Sequence, residues 1–183
     1  MGEWSSDSET HVATMTQGDF AHNEKSITIG NATKVSIQHI SNTGNKTILK
    51  EGLPLLDGEI IDATVMSKKA LISFLENVIK DASDRGILLS FHMKATMMKV
   101  SDPIIFGHIV KTYFKEVFEK HSETFTKIGV DVKSGFGNLL SNLDELTLEK
   151  KTEILKDIDT VFKAKADLAM VNSDKGITNL HVP

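Results

Sequence analysis

The chain contains no cysteine, one arginine, one tryptophan, one tyrosine and three prolines among 183 residues. Without cysteine there are no disulfides, no thiolate metal sites and no cysteine nucleophile. Arg85 is the sole arginine in a basic set of 21. The planar arginine fork is the usual grip for carboxylates and phosphates, so a protein that held a polyanionic substrate unaided would be expected to carry several. No apolar run approaches the roughly 20 residues that span a bilayer. The opening M-G-E-W-S-S-D-S-E-T has neither the basic nor the apolar region of a secretory signal. A cytoplasmic location without membrane association is therefore expected. Met1, Gly2 and Ser6 fit the outline of a myristoylation signal, but no polybasic stretch accompanies them. The acceptor triplets at Asn31 and Asn45 matter only in a secreted protein. A net charge of −4 argues against a nucleic-acid partner, which would call for a basic face.

Phosphate-loop and dinucleotide fingerprints, the serine-hydrolase elbow and zinc-type histidine spacings are also missing. Gly135-Phe136-Gly137 and Ser173-Asp174-Lys175-Gly176 read as turns. His92 and His108, with Asp102 between them, lack metal-ligand spacing and read as surface or hydrogen-bonding residues.

What is present is an ordinary globular composition, 40% hydrophobic and 25% charged, long enough for one core. Residues 1–183 are expected to form a single partial domain, strand-rich over 1–66 and α/β over 67–183. Ser26 to Ile29 and Thr33 to Ile40 alternate as strands do. The turn residues Asn42-Thr43-Gly44-Asn45 join the second strand to Lys46–Lys50 as a hairpin. Gly58–Met66 reads as another strand. Ser67 should cap a helix whose stripe is Leu71, Phe74, Leu75, Val78, Ile79 and Ala82, closed by Gly86.

Ile87-Leu88-Leu89-Ser90-Phe91 then reads as a buried, parallel strand. Asp102-Pro103 should open a helix with Asp102 as its cap and a stripe running from Phe106 to Phe118. Gly129 breaks the pattern, a short helix follows Asn138, and Thr147 caps a last helix with Ile154, Leu155, Ile158, Val161 and Phe162 on one face. Leu168–Val171 is a short strand, and Ile177–Pro183 looks like part of an element that continues. The arrangement is α/β, with a mixed sheet and flanking helices.

Lys94 and Lys99 flank Ala95-Thr96-Met97-Met98 just past the Ile87–Phe91 strand. Ligand sites in α/β sheets lie beyond the carboxyl ends of strands, and a partly desolvated lysine there can take part in proton transfer. From spacing alone, however, both read as solvated loop lysines.

Four stretches carry a family resemblance. They are M-G-E-W-S-S-D-S-E-T-H-V-A at 1–13, G-E-I-I-D-A-T-V-M-S at 58–67, H-M-K-A-T-M-M-K-V-S-D-P-I-I-F-G-H at 92–108 and L-A-M-V-N-S-D-K-G-I-T-N-L-H-V-P at 168–183. Together they span the chain, which resembles an internal segment of the large domain of monomeric-type NADP-dependent isocitrate dehydrogenases.

The resemblance implies oxidation of isocitrate by hydride transfer to NADP, then decarboxylation to 2-oxoglutarate with Mg²⁺ or Mn²⁺. It implies that Lys99 is the catalytic, substrate-binding lysine that assists the proton transfers, with Lys94 the weaker choice. The family's remaining substrate, metal and NADP groups map upstream and downstream of this chain, and Tyr113, in the helical stripe, does not replace the catalytic tyrosine. Met1 thus resembles an interior methionine. The isolated chain is expected to be inactive, to bind neither NADP nor metal tightly, and to need the missing parts of the enzyme. The alternative is a non-catalytic protein derived from that domain which binds a partner chain.

Overall fold

Alternation between Lys25 and Ala63 builds two antiparallel ribbons in the computed structural model, which describes residues 3, 5–91 and 99–169. A short helix α1 (Phe20–Asn23) precedes β1 (Lys25–Thr28), β2 (Thr33–Ile40), β3 (Lys46–Leu55) and β4 (Ile60–Ala63). The hairpin β2–β3 is nested inside the pair β1–β4, with Ile27 opposite Ile61 and Val35 opposite Leu53. The expected turn closes the hairpin, with the Ser41 and Gly44 amides donating to the Asn45 and Ser41 carbonyls at 2.9 Å each.

β3 runs farther than its apolar residues suggested. A bulge absorbs Glu51 and Gly52 opposite Ser36, and Gly52 supplies the φ of 68° that the bulge needs. The base is tied by Asn23 Nδ2 donating to the Val65 carbonyl at 2.8 Å and by the Thr64 hydroxyl donating to Phe20 at 2.6 Å.

These residues belong to one compact unit, Met15–Lys68. Its strands are nearly all exposed, and Leu55 is the one residue in its hydrophobic core. Ile27, Ile37, Ile48 and Ile60 are each more than half exposed. The bulge explains part of this. It shifts the register, so apolar side chains fall on both faces of the ribbon and neither face is consistently polar. Two-stranded ribbons bury too little to be stable alone in water.

The other unit, Met1–Thr14 with Lys69–Pro183, holds the main core. Helix α2 (Lys68–Arg85) buries Leu71, Leu75, Ile79 and Ala82, as its periodicity predicts. It ends in a Schellman motif: Gly86 takes φ 63° and the Ile87 amide donates to the Ala82 carbonyl at 3.1 Å. The Ile87–Phe91 run is realised as one parallel bridge, Leu89 to Leu168, held by Leu89 N–H to Asp167 and Ala169 N–H to Leu89 at 2.8 and 2.9 Å. Among the described residues, then, the expected mixed sheet consists of two separate antiparallel ribbons and this bridge.

The apolar stripe expected to form one helix from Phe106 to Phe118 is split between α3 (Ser101–Tyr113) and α4 (Lys115–Lys120). The break lies at Phe114, with φ −99° and ψ 33°. It has a packing reason. Tyr113 and Phe114 are adjacent, yet 1% and 2% exposed, and a straight helix would direct neighbouring side chains about 100° apart. Phe114 stacks on Phe136 with centroids 4.4 Å apart and meets Phe162 edge-on at 5.3 Å.

After α5 (Ser122–Lys127), a 3-10 turn at Val132–Ser134 and α6 (Phe136–Asn142), Thr147 caps α7 (Leu148–Ala164) as expected. Ile154, Ile158 and Val161 of α7 are buried, but Leu155 is 39% exposed and lies off the buried stripe. Gly107 of α3 lies against the 3-10 turn, where an added Cβ would meet Val132 Cγ2 at 3.0 Å.

Ile154 is wholly buried, so Ile154→Ala should cost about 2–5 kcal/mol. Leu155→Ala should cost well under that. Urea denaturation of both variants checks the ordering, and equal losses would mean that α7 is docked differently.

Candidate active-site segment

Lys99 is exposed and stands at the entrance to α3. The expected cap differs from the one observed. Asp102 was to precede the helix, but Val100 is already helical at φ −58° and ψ −30°, and Asp102 lies inside the first turn. From there its carboxylate reaches back to accept the Lys99 amide at 2.9 Å, and its own amide donates to the Lys99 carbonyl at 3.1 Å. This is the reach-back half of a capping box, with Lys99 in the cap position.

Pro103, in the same turn, has no N–H to offer the Lys99 carbonyl, which accepts from the Asp102 amide instead. The positive end of the α3 dipole is thus already met by the Asp102 carboxylate, and Lys99 stands exposed beside it. His92 and Lys94 lie outside the described residues, as does Ser173–Gly176. His108 is half-buried on α3. Gly135 turns the chain into α6 at φ 84°, but Phe136 and Gly137, expected in a turn with the helix following Asn138, are already the first residues of that helix.

Tyr113 is a structural residue. Its hydroxyl donates to the Ala166 carbonyl at 2.7 Å. Burial, and then the Asp167 charge, hold its phenol above the ordinary range. Arg85 is also engaged, with Nε 2.9 Å from Asp81 and a guanidinium nitrogen 3.9 Å from Glu9. The one arginine is thereby committed to carboxylates of this chain.

One polar cluster escaped the sequence reading. His121, which is 2% exposed, donates from Nε2 to Asp157 at 2.6 Å, and Lys120 reaches Asp157 at 2.8 Å and Glu153 at 3.2 Å. Lys150 adds a bond to Glu153 at 2.8 Å. The imidazole and the two carboxylates offer ligand atoms within 4.8 Å of one another, the one such group among the described residues.

It does not fit Mg²⁺ or Mn²⁺. Those ions seek several oxygens and water, whereas here two ammonium groups already balance the two carboxylates. The cluster is an ion-pair network that lets His121 be buried. Glu153 and Asp157 lie i, i+4 on α7, a spacing visible in the sequence, but their partners on α4 and its end come from 33 to 37 residues away and no local pattern links them.

Comparison with known proteins adds a family to this geometry. The family model for monomeric isocitrate dehydrogenase matches residues 1–183. An NADP isocitrate dehydrogenase of Colwellia maris is 52% identical over the whole chain, which covers 25% of that relative. The corresponding enzymes of Azotobacter vinelandii and Corynebacterium glutamicum are each 51% identical, with 25% and 24% of their lengths covered. The chain thus spans about a quarter of the length of these curated relatives. No helix among the described residues is long and apolar enough to cross a membrane.

The ion-pair network should make stability depend on acid. The Lys120 ammonium, and more weakly His121, outweigh burial and hold the Asp157 carboxyl below its ordinary value. A depressed carboxyl stabilises the fold above the unfolded-state pKa, and that contribution fades as pH falls through the folded one. Asp157→Asn should therefore cost about 1–3 kcal/mol at neutral pH, because His121 loses its charged acceptor. It should also flatten the decline in stability below about pH 4. Urea midpoints of both proteins from pH 3 to 7 test this; parallel acid limbs would exclude Asp157 as a source of the dependence.

Proposed function

The chain belongs to the monomeric isocitrate dehydrogenase family, and on that premise we propose that it supplies the proton-transfer lysine, Lys99, of an NADP-dependent isocitrate dehydrogenase. In the reaction the secondary alcohol of isocitrate gives its hydride to the nicotinamide and its hydroxyl proton to a base. The resulting keto acid then loses carbon dioxide, and the enolate left behind takes up a proton. Lys99 serves the proton steps at the alcohol and enolate oxygen.

The observation that carries this reading is the position of Lys99. It follows the single bridge between Leu89 and Leu168 in sequence and stands exposed at the amino end of α3. An exposed ammonium there is open to a tricarboxylate substrate.

The substrate-gripping, metal-binding and NADP-binding groups are supplied by the rest of a full-length polypeptide, of whose large domain this segment is a part, and the enzyme works in the cytoplasm. Acceleration of this reaction needs those groups assembled around one substrate. The engaged Arg85 and the lysine-balanced carboxylates at Glu153 and Asp157 are poor substitutes. Exposure of Ile27, Ile48 and Ile60 also supports a second reading, a non-catalytic descendant of the domain that binds a partner chain. Reading frames on either side of the coding sequence separate the two: frames that continue into the rest of the enzyme favour the first.

Two experiments test the proposal. The purified chain should form no NADPH from isocitrate, Mn²⁺ and NADP, and these ligands should leave its unfolding temperature unchanged, because a ligand of the folded state must raise it. Turnover at the rate of a full-length enzyme would refute this. When residues 1–183 replace the matching quarter of a full-length relative, Lys99→Met should lower kcat about 10²–10⁴-fold. Loss on Lys94→Met with Lys99→Met unaffected would transfer the role to Lys94.

A further inference from the structure

We infer that Asp102 is a positioning residue for Lys99, a role that rests on the function proposed for that lysine. A lysine places its ammonium through a stem of four rotatable bonds, so its one fixed reference is the backbone from which the stem departs. At Lys99 that backbone is held from two sides by a single residue. The Asp102 carboxylate accepts the Lys99 N–H at 2.9 Å, and the Asp102 N–H closes on the Lys99 carbonyl at 3.1 Å.

Among the described residues little else is available to do this. The residue that follows Asp102 is Pro103, which has no N–H to offer the Lys99 carbonyl as the next helical donor. Val100 is 90% exposed and Ile104 48% exposed, so these two apolar side chains of the first turn do little to fix the helix entry. No side-chain cap is present at Val100. The amino end of α3 is thus anchored at Lys99 by polar contacts rather than by packing. Below it, Gly107 lets the helix lie against Val132. Helix position and lysine position are set separately, the first by the core and the second by Asp102.

Loss of the carboxylate would leave α3 in place and widen the range of directions in which Lys99 leaves the helix. The fraction of time its ammonium spends in the productive geometry would fall, which lowers kcat and leaves substrate binding by other groups intact. Asparagine at the same position keeps a carbonyl acceptor of the same reach and should restore most of the loss.

The test is a double-mutant cycle in the full-length enzyme that carries this segment. Asp102→Ala should lower kcat about 10–100-fold, with the KM for isocitrate changed less than about threefold. Asp102→Asn should recover to within a few-fold of the parent. In the Lys99→Met background Asp102→Ala should have no further effect, because a residue that acts through Lys99 has nothing left to position.

Equal losses in both backgrounds would show a general structural role and overturn the inference, as would a normal kcat for Asp102→Ala while Lys99→Met is dead. A Lys99→Met enzyme with full activity would overturn the function assigned to the lysine, and this inference with it. Should Asp102→Ala fold poorly, Asp102→Asn compared in the two backgrounds reads the same non-additivity at smaller amplitude.

Discussion

The hydrogen bond from the Tyr113 hydroxyl to the Ala166 carbonyl ties the segment after α7 to the end of α3. Lys165 reinforces it from the other side, donating to the Tyr113 carbonyl and pairing with Glu116 at 2.9 Å. The segment so held pairs with Leu89 through Asp167 and Ala169. Lys99 stands at the other end of α3. The bridge at Leu89 and the entry at Lys99 are thereby both referred to one helix. A phenol in this place must be buried and satisfied, since an unpaired buried hydroxyl would cost more than the bond contributes.

The two units obey different rules. Around α7 the core is dense, with Leu139, Leu143 and Ile154 fully buried, and the polar cluster at its side keeps the Glu153 and Asp157 carboxylates paired while the buried Nδ1 of His121 has no hydrogen-bond partner among the described residues. The ribbon of β1 to β4 has backbone hydrogen bonds but almost no core. Its apolar side chains lie on both faces, as they would on an arm covered on both sides in a longer polypeptide. That agrees with a chain that aligns over its whole length with a quarter of its relatives.

Local signals were legible where a single element decides the outcome. The Thr147 cap, the Gly86 stop, the hairpin turn and the stripes of α2 and α7 follow from spacing and residue type within one or two turns. Errors came where neighbours decide. The stripe through Phe106 and Phe118 is continuous in sequence but broken at Phe114, because the ring must enter a stack with Phe136 and Phe162. Asp102 before proline looked like an outside cap, yet it reaches back from inside the turn to Lys99. Leu155 matched a helical face but falls at its edge.

The sequence by itself determined the family, through four long motifs in order, and it singled out the lysine segment between a strand and a helix. It also excluded cysteine chemistry and limited anion binding by arginine to Arg85. Only tertiary structure decided that Tyr113 is a buried tie, that Gly107 makes room for Val132, and that His121 can be buried against Asp157. The reason is common to all three. Each depends on a partner many residues away, and the energy of a buried polar or close-packed contact depends on what fills the space beside it, which periodicity along one element does not encode.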